Sequence, residues 1–184
     1  YVFISDKMNN DKNLAYIKYV KDFANAEYRD IVKAELETEK NKLDKLNDEL
    51  KKLISIEEKA KSTIKENLRS IDRNKNDIKL NEADQKRKIE QITAQKAVVE
   101  TTKVSGGDAY KEALKALDNL NGEKEKLEKE NEKLNKQIDK WEKENREQDR
   151  DINQSKQDQG QKNEQIGRQK AVVEAVEAKL AAIK

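Results

Sequence analysis

Residues 43–53 read Leu43-Asp44-Lys45-Leu46-Asn47-Asp48-Glu49-Leu50-Lys51-Lys52-Leu53, with leucine at 43, 46, 50 and 53 and polar or charged side chains between. Alternate steps of three and four residues draw one apolar stripe along an α-helix, the a and d positions of a heptad. The pattern returns as Leu117-Asp118-Asn119-Leu120-Asn121-Gly122-Glu123-Lys124-Glu125-Lys126-Leu127. This is the start of a second copy: a shift of 74 residues aligns 43–100 with 117–174, and 24 of the 58 positions are identical. The copies close on the same six residues, Gln-Lys-Ala-Val-Val-Glu, at 95–100 and 169–174. A fixed internal period means that one structural unit is used twice.

Carried on from Leu43, the register places Leu50, Ile64, Ile71, Ile78, Ile92 and Val99 at a, and Leu46, Leu53 and Ala60 at d. In the second copy Leu117, Ile138, Ile152, Ile166 and Val173 fall at a, with Leu120, Leu127, Leu134, Trp141 and Val176 at d. The phase holds through nine or ten heptads, which points to a coiled coil rather than a disordered chain. The seam is thin in places. Asn67, Asn74, Asn81 and Gln148 occupy d and Gln159 occupies a. Polar seam residues lower stability and fix register and partner number. They are expected either to line a partly hydrated stretch or to meet further helices that satisfy them.

The expected fold class is all-α, an elongated antiparallel coiled-coil helical hairpin built from the direct repeat. From Leu14 to Val104 there is neither Gly nor Pro, and the break comes at Ser105-Gly106-Gly107-Asp108. Gly106 and Gly107 permit the φ > 0 turn that ends one helix, and Asp108 suits the start of the next. The division is residues 1–28 as an aromatic-rich lead, 29–104 as the first arm, 105–108 as the turn and 109–184 as the second arm. With the turn there, residue i faces roughly 213 minus i. Val32 then lies near Leu180, Ile31 near Ile183 and Leu36 near Val176, while Gly160 and Gly167 sit opposite Leu53 and Leu46. At 1.5 Å per residue each arm spans on the order of 110 Å. The alternative folds each copy into its own hairpin, turning at 72–77 and 148–153, to give a four-helix bundle. Neither of those turns contains Gly or Pro.

Composition narrows the function classes. Apolar residues make up 34% and charged residues 42% of the chain, against roughly 45–50% and about 25% in ordinary soluble domains. A thick globular core is out of reach, whereas a long solvated helix is not. Forty Lys and Arg stand against 38 Asp and Glu, interleaved at almost every turn, so no basic stripe exists for phosphate neutralisation and nucleic acid is not an expected partner. No apolar run reaches 18 residues, so no membrane span is expected within this segment.

The chain has no His and no Cys. That removes the usual acid–base group near neutral pH, thiol nucleophiles and soft metal ligands. No phosphate-cradling motif occurs, because Ser105-Gly106-Gly107 lacks the Lys-Ser/Thr of a P-loop. No catalytic residue, metal or cofactor is therefore expected. Asn153-Gln154-Ser155 matches a glycosylation acceptor, although Ser155 falls on the seam. Lack of Cys leaves the compartment open.

Six of the eight aromatic residues lie within the first 28: Tyr1, Phe3, Tyr16, Tyr19, Phe23 and Tyr28. Residues 1–13 read as an extended lead and polar turn, with Asn10 or Asp11 capping a helix from about Leu14. On that helix Tyr16, Tyr19, Val20, Phe23 and Tyr28, with Leu14, Ile17, Ala24 and Ile31 alongside, form an apolar face too wide for a two-stranded seam. They either pack against the base of the hairpin or dock a protein partner. Because Tyr1-Val2-Phe3-Ile4-Ser5 carries no initiator methionine, a fragment or processed form of a larger chain is expected. The reading is a non-enzymatic structural or protein-interaction module, a coiled-coil stalk or spacer that binds a protein partner or self-associates through helices. A helical-hairpin adaptor of a secretion or transport complex, or a helical surface adhesin, are the alternatives.

Overall fold

The computed structural model describes residues 2–183, with the side chains of residues 8–183. Tyr1 and the ring of Phe3, two of the clustered aromatics, lie outside that description. Two α-helices make up almost all of it: α1, Val2–Ser105, and α2, Gly107–Ala181. They pack against each other as a helical hairpin, and among the described residues there is no strand.

Helix formers carry both elements. No Gly or Pro interrupts α1, and exposed Lys–Glu pairs one turn apart support α2: Glu125–Lys129 at 2.9 Å, Glu132–Lys136 at 2.9 Å and Lys124–Glu128 at 3.4 Å. Each such pair adds a few tenths of a kcal/mol. The chain reverses at Gly106. Gly106 and Gly107 have φ of 61° and 77°, the left-handed region that an L side chain resists. The Gly106 N–H donates to the Thr102 carbonyl at 2.9 Å, closing the last turn of α1. Lys103 lies in the last turn of α1 and Asp108 in the first turn of α2, the signs that the two helix dipoles favour. The break is shorter than the expected 105–108, since α2 begins at Gly107.

Packing divides the chain into two units, each taking a stretch from both helices. One comprises Tyr1–Glu57 with Gln154–Lys184, the other Glu58–Asn153. In the first unit Val32, Ile166, Val173 and Val176 are buried. The α1–α2 bonds there run from Arg29 Nη2 to the Ile183 carbonyl (3.3 Å), through Lys179–Glu35 (3.0 Å) and Lys162–Glu49 (2.6 Å), to Ser155 Oγ donating to the Leu53 carbonyl (2.8 Å). Numbers rise along one helix as they fall along the other, so the stretches are antiparallel. In the second unit Ala60, Ile71, Ile92, Val99, Ala113, Ile138 and Ile152 are buried. Fully burying a Val or Ile contributes roughly 1.5–3 kcal/mol, and these side chains are the second unit's apolar core.

Four expectations need correction. Residues 2–13 are helical and not an extended lead with a turn. Asn and Asp cost only a few tenths of a kcal/mol each inside a helix, too little to stop one without Gly or Pro. The four-helix bundle does not form, because both helices run unbroken through 72–77 and 148–153. Ile31 is 64% exposed beside Val32 at 0%, and it is Arg29 that reaches the Ile183 carbonyl; one residue is 100° of helical rotation, which turns Ile31 off the contact face. Gly160 and Gly167 are exposed, and a Cβ built on either meets nothing within 4 Å, so neither receives a leucine.

Candidate interaction surfaces

Polar seam residues find their partners inside the chain. Asn67 is 8% exposed. Its side-chain amide donates to Asn145 Oδ1 at 2.9 Å and to Glu144 Oε2 at 3.2 Å. Asn74 donates to Gln137 Oε1 at 3.5 Å and Asn81 to Asn131 Oδ1 at 2.8 Å. In the other unit Gln159 donates to Glu57 Oε2 at 2.7 Å and to Ser155 Oγ at 3.3 Å. Gln148 is half-buried. Among the described residues no buried side-chain nitrogen or oxygen lacks a hydrogen-bond partner. Ser155 is itself buried and committed to the Leu53 carbonyl, so the acceptor triplet at 153–155 has its third residue inside the contact.

Flanking the seam, the long side chains reach across. Lys162 meets Glu49 at 2.6 Å and Lys88 meets Glu123. The lysine hydrogen bond, reinforced by its charge, holds each of these carboxyls below the ordinary glutamate value. Glu39 is lowered likewise, first by Lys42 and then by Gln169. Gln95 Nε2 donates to the Ala113 carbonyl at 3.0 Å, and Gln169 Nε2 to the Glu39 carbonyl at 3.0 Å.

Of the aromatic residues of α1, Tyr28 meets a side chain of α2 and Tyr16, Tyr19 and Phe23 are exposed. Tyr16, Tyr19, Val20, Phe23 and Tyr28 are all exposed, Tyr16 at 69%. Tyr19 and Phe23, one turn apart, stack with ring centroids 6.5 Å apart, and Lys179 Nζ lies 5.8 Å above the Tyr28 ring. Ile17, Val20, Ala24 and Ile31 follow the same three-four spacing, and all four are exposed. The contact face of α1 is marked by Val32 at 0% exposure beside Ile31 at 64%, a distinction that hydropathy alone does not make.

Chemically the remaining surface is plain. The groove beside Lys162 is lined by Glu49, Lys52, Leu53, Asp158 and Gln165 and opens to solvent. Among the described residues no group of three or more Asp or Glu could hold a metal ion, and no helix is long and apolar enough to cross a membrane. Comparison with known proteins gives no match: no family model, no curated protein and no solved structure is significantly similar to the chain.

Proposed function

We propose that this chain is a non-enzymatic structural or protein-interaction module, an antiparallel coiled-coil hairpin that serves as a stalk or spacer within a larger assembly. Its seam carries the reading. Asn67, Asn74, Asn81 and Gln159 bond within the chain, so the two arms satisfy each other and need no third helix. An adaptor whose polar seam faces neighbouring hairpins would draw on polar groups that these bonds already occupy.

Two further observations support the coiled coil and the repeat. Every buried residue, from Val32 to Val176, falls on an a or d position of the register begun at Leu43 in α1 or at Leu117 in α2. Equivalent residues of the two copies also make equivalent bonds. Lys88 and Lys162 occupy one position of the repeat, and Glu123 and Glu49 another, so one ion pair is made twice. The same holds for Gln95 and Gln169, which donate to the carbonyls of the equivalent residues Ala113 and Glu39. In this reading residues 29–104 and 109–184 are the arms, and residues 1–28 offer the aromatic face that makes the stalk an interaction module.

Because the chain has no cysteine, a Leu36→Cys/Val176→Cys variant tests the reading cleanly. We expect a disulfide within one chain and small-angle scattering from an elongated particle. A compact particle, or a disulfide formed only between chains, would overturn it.

A further inference from the structure

We infer that the arms of this chain pair equally well with those of a second copy, and that the Gly106–Gly107 turn keeps the pairing within one chain. The inference rests on the hairpin reading above. Between the two helices only Gly106 is non-helical, and its positive φ, with that of Gly107, makes the reversal. A Cβ on either glycine meets nothing within 4 Å, so only the backbone conformation opposes a side chain there. Ser105 and Asp108 flank the pair and Thr102 already accepts the Gly106 N–H in helical geometry. Given φ < 0 at 106 and 107, α1 would run on into α2 as one helix. Its contact face would then be left bare along its whole length, and the surface complementary to it is the same face of a second copy running in the opposite direction.

Which register the second copy takes is decided by the asparagines. The repeat offers two: α1 against the partner's α2, as in the closed chain, or α1 against the partner's α1 through the duplicated ion pair. In the second, Ile71 stands where Asn145 does and the shorter Ser70 where Glu144 does, so the buried Asn67 amide loses its 2.9 Å acceptor. A hydrogen bond lost from a buried amide costs part of its desolvation penalty. The exchanged register keeps the bonds of Asn67 to Asn145, of Asn74 to Gln137 and of Asn81 to Asn131, each now between copies. In the native chain the short connection gives the arms a high effective concentration and holds the closed form. A short hinge is also what favours exchange once the turn is strained.

The full-length Gly106→Ala/Gly107→Ala variant tests this. Light scattering should show the mass doubling, with helicity equal to or above that of the parent. In that background a Leu36→Cys chain mixed with a Val176→Cys chain should give a disulfide-linked heterodimer. A like-arm register would instead set residue 36 against the other end of the partner's α1, where the chain has no thiol, and leave this heterodimer unformed. A variant that stays monomeric with a lowered Tm would overturn the inference, while the disulfide within one chain of the Leu36→Cys/Val176→Cys parent would still report on the hairpin. A dimer without the mixed disulfide would overturn it too.

Discussion

Asn67 and Asn145 face each other across the second unit, the amide of one 2.9 Å from the carbonyl oxygen of the other. Each satisfies the other in a place that water does not reach freely. Their loss is therefore asymmetric. Asn67→Ala leaves the Asn145 side chain short of its donor, and we expect a loss of roughly 1–3 kcal/mol in urea denaturation. Replacing both by Leu should recover that loss or exceed the parent's stability. A double variant less stable than the single one would mean that the pair contributes more than register.

Gly160 and Gly167 sit in mid-helix with open space where a Cβ would go. Alanine at each should stabilise the chain by about 0.8–1 kcal/mol, the cost of Gly in a helix interior. Thermal unfolding of the two single variants and the double is the measurement. A lowered Tm would show that one of these sites is approached by something beyond this chain.

Replacing Tyr16, Tyr19 and Phe23 together by Ala should leave stability within about 0.5 kcal/mol per site. Their rings are exposed, and the one contact between them is the Tyr19–Phe23 stack. Circular dichroism against temperature separates the two readings of this face. Global loss of helix would mean that the rings pack on the hairpin; preserved melting would mark them as surface kept for contact.

Glu49 and Glu123 have folded-state pKa values below the ordinary one because Lys162 and Lys88 hydrogen-bond their charged forms. A depressed carboxylate contributes stability above its unfolded pKa, near 4.3, and loses it as pH falls through the folded value. The Tm should therefore drop below about pH 4.5. In the Glu49→Gln/Glu123→Gln variant, which cannot titrate at these sites, that drop should be shallower. The pairs are exposed to solvent, so added salt should flatten it as well.

Much of this was legible before any coordinates. The break at Gly106 follows from two adjacent glycines. The register came within one residue: Asn67 was expected opposite about 146 and meets Asn145. The partners of the polar seam were less accessible, because an amide pairs only if its opposite number has the right type and the right height. Val32 and Ile31 could not be told apart by hydropathy, and only the rotation of α1 against α2 separates them. The start of α1 was misread because Asn9, Asn10, Asp11 and Asn13 signal a turn on their own. Inside a strongly helix-forming neighbourhood that signal is too weak.

The bond from Gln95 to Ala113 joins residues 18 apart in sequence, and that from Arg29 to Ile183 residues 154 apart. Ordering the second contact before the first costs about 2 kcal/mol more in chain closure. The hairpin should thus close from the Gly106 end outward, like a zip with one starter. Substitutions near the turn would slow folding, whereas those around Arg29 would chiefly quicken unfolding. The Gly106–Gly107 turn is then the place where the molecule's folding starts as well as where its chain reverses.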